Sequence, residues 1–364
     1  MKKVVLLSVC FSVVACFGSE NGINAALEKG AAFLRSVQQP DGHWSDADMP
    51  ALTALPVWAL VAAGRDAAAV SNGVKFVLAQ QKPDGGFYNA KPGRGGGGLG
   101  TYNTSVCLSA LHLSGLAPVR SILNARTFLA GNQLTGDDTM AGGFGYDKFN
   151  PNRLGRGGRP PRRHADLSNT SYALSAMRLT AGAEDMRPAG EKRADLDWES
   201  AIRFVENLQK REGAERGGAA YNERTPQAGV ETNRAGRVHL RAYGSMTYGA
   251  VLSMCSANLT KHDPRVKMSL EYCTKYWNVN ENPGMGNQGL FYYYDILARA
   301  LSAAGVDELK PADGTAIAWK RELAAKLMAL QKPDGSWANE NNRFWEQDPV
   351  LCTSFAMIAL ELCR

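Results

Sequence analysis

Three stretches concentrate side chains able to do chemistry. They are Tyr243-Gly244-Ser245-Met246-Thr247-Tyr248, the run from Glu281 to Leu290 with Phe291-Tyr292-Tyr293-Tyr294-Asp295 after it, and Phe344-Trp345-Glu346-Gln347-Asp348-Pro349. Each opens an apolar helical segment. Aromatic rings gathered around one space line an apolar pocket or stabilise a cation through their faces. A single tyrosine at helical spacing reads equally well as packing, with its hydroxyl bonded nearby. A second group is basic. Residues 148–163 hold Lys148, Arg153, Arg156, Arg159, Arg162 and Arg163 with no acidic residue, and Arg216, Arg224, Arg234, Arg237 and Arg241 follow. Guanidinium groups in such loops suit phosphate, carboxylate or an anionic lipid headgroup; the alternative is a solvated loop without a specific role. Other chemistry is missing. The seven cysteines show no CxxC spacing, so neither a disulfide framework nor a zinc knuckle is indicated. No Ser-His-Asp signature, phosphate loop or thioester Cys-Gly-Glu-Gln is present.

What positions these residues is a repeat. Phe33 leads to Gln38 and then Asp41-Gly42-His43-Trp44; Phe76 leads to Gln81 and Asp84-Gly85-Gly86-Phe87; Leu327 leads to Gln331 and Asp334-Gly335-Ser336-Trp337. Two stretched copies run from Phe128 and Gln133 to Gly142-Gly143-Phe144-Gly145-Tyr146, and from Phe204 and Gln209 to Gly217-Gly218-Ala219-Ala220-Tyr221. The segments before each Gln are amphipathic at helical spacing. The segments after each turn carry Thr53, Thr104, Thr170, Thr247 or Thr353 and are apolar on most faces, the mark of a buried helix. A fifth, degenerate unit has Tyr272 and Trp277 in the Phe and Gln places and Tyr294 in the Thr place. Six units follow, at 22–64, 69–116, 119–182, 197–260, 263–305 and 315–363. Each is an outer amphipathic helix, a turn and an inner apolar helix. The expectation is one all-α domain over residues 22–364, an (α/α)6 toroid of six hairpins.

The repeat resembles the QW motif of squalene–hopene cyclases and the related repeat of protein prenyltransferases, and the flanking phrases resemble exported bacterial proteins of that kind. The resemblance implies a terpenoid-cyclase-like fold without a cofactor. It also allows a test of the family's chemical residues. Class II cyclases place Asp-x-Asp-Asp-Thr at the start of an inner helix, where a protonated carboxylic acid starts a cation cascade. The corresponding stretch here is Asp166-Leu167-Ser168-Asn169-Thr170. Ser168 and Asn169 cannot deliver a strong acid, so cyclisation by that route is not expected. The Asp-x-Cys and His zinc ligands of prenyltransferases have no counterpart either. Asp348 and Cys352 stand four apart without a histidine, and no metal site is expected.

The loops from turn to inner helix are unequal. Counted from Gly42, Gly85, Gly143, Gly218 and Gly335, the inner Thr follows 11, 19, 27, 29 and 18 positions later. All would emerge on one rim, at the N-termini of the inner helices. Long loops on a rigid scaffold carry function, and helix N-termini favour anions.

Met1-Lys2-Lys3 and the apolar run Val4 to Ala15 read as an export signal over residues 1–18. Val13-Val14-Ala15-Cys16 resembles a lipobox, with Cys16 as the lipidated first residue; cleavage near Gly18 or Ser19 is the alternative. The protein is therefore expected in the periplasm or cell envelope, with membrane anchoring through Cys16 as one form. A formal charge of +6 is mild, and export argues against the Gly-Arg-rich loop at residues 92–100 as an RNA arm. No nucleic-acid partner is expected.

The reading is a cyclase-like toroid that binds an apolar or amphiphilic, isoprenoid-like small molecule in a central cavity with a basic rim. Asp166, Asp348 and Glu346 are the candidates for chemistry, Asp166 as general acid or orienting carboxylate. Tyr146, Asn169, Tyr243, Tyr292, Tyr293, Tyr294, Trp345, Arg162, Arg163 and Arg241 are the candidates for ligand binding. Two other readings stay open: a non-catalytic module gripping an anionic envelope partner, and a polysaccharide-lyase-like enzyme. A greasy pocket, a filled core or an open Arg-lined groove would separate the three.

Overall fold

Apolar periodicity becomes two concentric rings of helices. The structure, a computed structural model, describes residues 20–89, 98–150, 163–232, 236, 238–312 and 314–364. The outer helices are α1 (Glu20–Val37), α3 (Ala67–Ala79), α5 (Val119–Ala130), α7 (Trp198–Leu208), α9 (Pro264–Lys275) and α11 (Trp319–Leu330). The inner ones are α2 (Pro50–Ala62), α4 (Gly100–Ser114), α6 (Leu167–Leu179), α8 (Gly244–Ser256), α10 (Leu290–Ala303) and α12 (Pro349–Leu362). In α1 only one stripe is buried, with Ile23, Ala26, Leu27, Ala31 and Leu34 in it. In α12 every residue from Val350 to Leu360 is buried. Each inner helix packs on the next, α12 returns to α2, and α1 meets α11 and α12, so the ring is closed. This is the expected (α/α)6 toroid.

The repeat's residues hold the ring together. In five units the inner threonine hydroxyl accepts the backbone N–H of the residue that closes the turn, from Trp44, Phe87, Phe144, Ala219 and Trp337 to Thr53, Thr104, Thr170, Thr247 and Thr353, at 2.9–3.1 Å. The glutamine amide reaches outward to the next hairpin. Gln38, Gln81, Gln133, Gln209 and Gln331 donate to the carbonyls of Ala69, Ser121, Asp197, Arg265 and Ala26 at 2.9–3.0 Å. The last of these joins the sixth hairpin to the first. In the degenerate fifth unit the Trp277 indole N–H donates instead to Glu322 on α11, at 2.8 Å.

The turn glycines pack against the same outer helices. Gly42, Gly85, Gly142, Gly217 and Gly335 have φ between +88° and +96°. A Cβ on any of them would fall 1.9–2.4 Å from the carbonyl oxygen of Asn72, Asn124, Ser200, Met268 or Lys29. Those carbonyls lie three residues beyond the ones the glutamines hold. Glycine is therefore required twice, by its conformation and by the approach of a neighbouring backbone.

One expectation needs refinement. The fourth connection, read as a loop, contains a two-stranded antiparallel ribbon, β1 (Val230–Thr232) with β2 (Val238–Leu240), in which Val230 faces Leu240. The strands are exposed except for Leu240, so no burial pattern marks them in the sequence. Cys16 and the export segment, the basic residues Arg153, Arg156, Arg159 and Arg162, and Arg234 and Arg237 lie outside the described residues.

The double demand on the turn glycine can be measured. Gly190 has φ +88° like Gly85 at +91°, but nothing lies within 4 Å of a Cβ built on it. Gly190→Ala is expected to lose about 1–2 kcal/mol from backbone strain alone. Gly85→Ala is expected to lose clearly more, about 3 kcal/mol or beyond, because a neighbouring helix must also shift. Urea unfolding of the two variants compares them; equal losses would show that the close approach is unimportant.

Candidate functional site

The inner helices end in a cavity of about 370 Å³ at their N-terminal rim. All six contribute: Leu52, Tyr102, Ser168, Tyr172, Met246, Tyr292, Leu351 and Phe355 line it. So do Met49, Leu99, Tyr243 and Gly289, which cap the N-termini of α2, α4, α8 and α10. The side chains are mainly apolar or aromatic. Tyr102 meets Tyr172 edge-on at 5.3 Å between ring centroids, Tyr292 lies 6.2 Å from Tyr172, and Phe355 lies 6.1 Å from Tyr292. Ser168 Oγ shares a hydrogen bond of 3.2 Å with the Tyr292 hydroxyl. Burial pushes the hydroxyl pKa of Tyr102 and Tyr292 upward, so both remain neutral donors. The Tyr172 hydroxyl is buried without a partner.

The acid-motif region folds around its aspartate. Asp166 is the N-cap of α6: its Oδ1 accepts the Asn169 backbone N–H and its Oδ2 accepts the Asn169 side-chain amide, both at 2.8 Å. Oδ2 also meets His164 Nε2 at 3.1 Å. Asp166 is fully buried and, like Asn169, is absent from the cavity wall. Its charge raises the pKa of Tyr146 and Tyr221, second to burial in each case. Those two tyrosines do line the cavity and share a hydroxyl–hydroxyl bond of 3.2 Å. Asp166 therefore lies behind the wall, within electrostatic reach of two tyrosines that line the cavity.

The other sequence candidates divide. Tyr146, Tyr243, Tyr292 and Trp345 come together on the cavity. Tyr293 and Tyr294 do not: their hydroxyls donate to the carbonyls of Asn278 and Val279 at 2.8 and 2.7 Å, in the turn before α10. Successive helical residues point about 100° apart, so one tyrosine of the three reaches the cavity. Glu346 is buried and acts as a cap from the neighbouring hairpin, accepting the N–H groups of Leu290 and Tyr292 at 2.8 Å and the Asn339 amide at 2.6 Å. Burial raises its pKa against those bonds. Asp348 caps α12 through the Val350 N–H at 2.8 Å. Arg241 pairs with Glu215 at 3.1 Å, and Arg163 with Asp138 at 3.2 Å; neither lines the cavity. Cys107, Cys273, Cys352 and Cys363 are buried free thiols. Among the described residues no group of three or more His, Cys, Asp or Glu is placed to hold a metal ion.

Sequence reasoning missed Arg343 and the Asp295–Arg299 pair. Arg343 lines the cavity and sits one residue before a phrase that was read. Asp295 and Arg299 form a buried ion pair at 3.3 Å within α10. The guanidinium stands over the rings of Trp58 at 4.8 Å and Tyr172 at 5.2 Å, beneath the aromatic floor. Burial raises the Asp295 carboxyl pKa while Arg299 opposes the shift, and Oδ1 has no partner. The available signal was two opposite charges four residues apart in an otherwise apolar helix.

No protein-family model matches the sequence, and no curated protein matches it. Solved structures do match. A variant of the type II terpene cyclase MstE from Scytonema, in complex with merosterolic acid A, is 14% identical with a TM-score of 0.58 over 94% of this chain and 96% of its own. The protein geranylgeranyltransferase-I of Candida albicans, complexed with GGPP, is 13% identical with a TM-score of 0.50 over 92% of this chain and 90% of its own. The chain has the terpene cyclase and prenyltransferase toroid fold. A GH76 α-mannanase of Bacteroides thetaiotaomicron is similar as well, at 10% identity and a TM-score of 0.53 over 93% of this chain and 95% of its own. The toroid alone therefore does not select a reaction; the cavity must.

The buried pair under the floor yields a stability test. Arg299→Met leaves a carboxylate only 2% exposed without its cation, and a loss of about 3–5 kcal/mol is expected. Adding Asp295→Asn should recover most of it. Urea denaturation of the single and double variants reads the difference; a double variant no better than the single would mean the pair is not coupled.

Proposed function

We propose that this protein binds an apolar or amphiphilic, isoprenoid-like small molecule in the cavity at the rim of its inner helices. The observation that carries the reading is the cavity itself. It is lined by rings and aliphatic side chains with few polar groups, and at about 370 Å³ it falls within the roughly 300–1,000 Å³ typical of small-molecule sites. The similar structures support the ligand class: MstE has been seen with geranylgeranyl dihydroxybenzoate and the transferase with GGPP. The competing readings draw less support. Of the basic residues offered for an anionic envelope partner, Arg163, Arg216 and Arg241 are paired with carboxylates. A lyase acting on acidic sugars would call for an arginine-lined groove.

Acid-initiated squalene cyclisation is not part of the proposal. Asp166 has two hydrogen bonds from Asn169 holding its carboxylate, and Ser168 and Asn169 stand where the cyclase motif carries acids. A hydroxyl or an amide is far too weak an acid to protonate an alkene. Incubation with squalene is expected to give no hopene-type product; if it does, another carboxyl supplies the proton.

Binding is tested by mass spectrometry of apolar extracts from the purified native protein. A defined molecule is expected with the wild type and to be lost from Leu351→Trp, which fills the cavity from α12. Equal recovery from both would place the ligand elsewhere and overturn the reading.

We propose export as well, supported by Lys2, Lys3, the apolar run from Val4 and the Val13-Val14-Ala15-Cys16 phrase. No described helix is long and apolar enough to cross a membrane. Lipid on Cys16 is the anchor to look for. Intact mass of the membrane fraction should show a chain beginning at Cys16 with acyl groups. A chain beginning near Ser19 would point to a secreted form, and a full-length cytoplasmic chain would refute export.

A further inference from the structure

Among the described residues lining the cavity, Arg343 carries the one formal charge and no carboxylate is present. Its environment is unusual for an arginine here. Arg35, Arg65, Arg126, Arg187, Arg241 and Arg265, for example, all pair with acidic side chains. The Arg343 guanidinium instead donates to the side-chain oxygens of Gln288 and Gln227, two neutral amides that also line the cavity, and lies 5.3 Å over the Phe344 ring. The three residues come from the sixth, fifth and fourth connections, so the charge is held across the mouth. Burial holds the Tyr243 hydroxyl pKa well above its ordinary value, and the Arg343 charge opposes that rise, so its positive potential reaches inward. Exposure grades along the cavity. Tyr172 and Phe355 are 3% exposed, and Phe344 and Trp345 are 41% and 52% exposed. The cavity thus has an apolar closed end and a cationic open end.

We infer that the site selects amphiphiles with an anionic oxygen head, a carboxylate or a phosphate, seated on Arg343 with the tail on the aromatic floor. The inference rests on the cavity reading and adds the polarity and orientation of the ligand. A guanidinium presents a planar fork that matches two anionic oxygens. Gln227 and Gln288 hold that fork in place without neutralising it, and an arriving anion displaces only neutral acceptors. A cationic head would meet like charge with no carboxylate on the wall to receive it. A neutral head would forgo the charge-assisted bonds while keeping the tail contacts. The basic rim anticipated at Arg163 and Arg241 is not on the cavity wall, and both of those charges are met by carboxylates.

The experiment compares four ligands with one tail: dodecanoate, dodecyl phosphate, dodecan-1-ol and dodecyltrimethylammonium, titrated calorimetrically into the full protein. The anions are expected to bind about three- to tenfold more tightly than the alcohol, since the guanidinium is open to solvent on one side. The ammonium is expected to bind more weakly than the alcohol. The advantage of the anions should shrink with added salt. Carboxylate against phosphate is decided by which of the two anions binds better. Arg343→Gln should bring the anions to the affinity of the alcohol while the alcohol still binds, with the chain still folded by circular dichroism. Leu351→Trp should weaken all four. If the alcohol and the anions bind equally and Arg343→Gln changes nothing, the headgroup inference is wrong while the cavity reading stands. If no chain binds, or Leu351→Trp leaves all affinities intact, the cavity reading itself fails.

Discussion

In five of the six units a glutamine amide and a left-handed glycine join one hairpin to the next, and the rest of the molecule depends on that joint. The glutamine contributes about 0.5–1.5 kcal/mol of net hydrogen bonding per unit. More important is what the pair dictates sterically. The glycine lets one backbone ride against another, and the amide fixes which turn of the neighbouring helix it meets. Repeated around the ring, this sets a constant offset between hairpins, and a constant offset is what allows six of them to close. The fifth unit shows that the constraint is geometric rather than chemical. Trp277 reaches α11 through a side chain instead of a carbonyl, and the ring still closes.

Because the joint lies at the turn, the chain between turn and inner helix is free to vary. It grows from 11 positions in the first unit to 29 in the fourth, and all of that added chain gathers on one side. The cavity is built there from helix starts below and loops above. Its floor is rigid, since Tyr102, Tyr172, Tyr292 and Phe355 stand on packed inner helices. Its mouth is assembled from three separate connections by Arg343, Gln288 and Gln227. On the proposed reading, shape recognition and charge recognition fall to different parts of the fold.

The fold was legible because its obligations recur. Gln, Gly and Thr return at related spacing five times, each doing the same job. The cavity was partly legible. Tyr146, Tyr243, Tyr292 and Trp345 could be placed on the rim from the helix starts. The sequence could not separate Tyr292 from Tyr293 and Tyr294, because which of three consecutive rings faces inward depends on the helix's rotation in the ring. Carboxylates misled for a different reason. Asp166, Glu346 and Asp348 are all at helix starts because they cap helices, the position that a catalytic acid would also occupy. Arg163 and Arg241 were conspicuous as members of basic runs and proved to be paired. Arg343, the single basic residue of its connection, has no acidic side chain paired with it among the described residues.

The ring has one seam. Joined carbonyl and glutamine are 31 residues apart in the first unit and 40, 64 and 56 apart in the next three. At the closure, Gln331 and Ala26 are 305 apart. With loop entropy rising by roughly 0.6 kcal/mol per doubling, closing 305 residues instead of 31 costs only about 2 kcal/mol more. The energetic penalty is small, but the order of events is fixed. Neighbouring hairpins elsewhere are tethered by a short connection and can dock as they form, whereas the α1–α2 hairpin finds its second neighbour only once α11 and α12 exist. Until then the stripe of α1 that packs against α12 stays in water, and the cavity, which needs both Leu52 and Leu351, has no wall on that side. Folding of the ring and completion of the cavity are therefore one event.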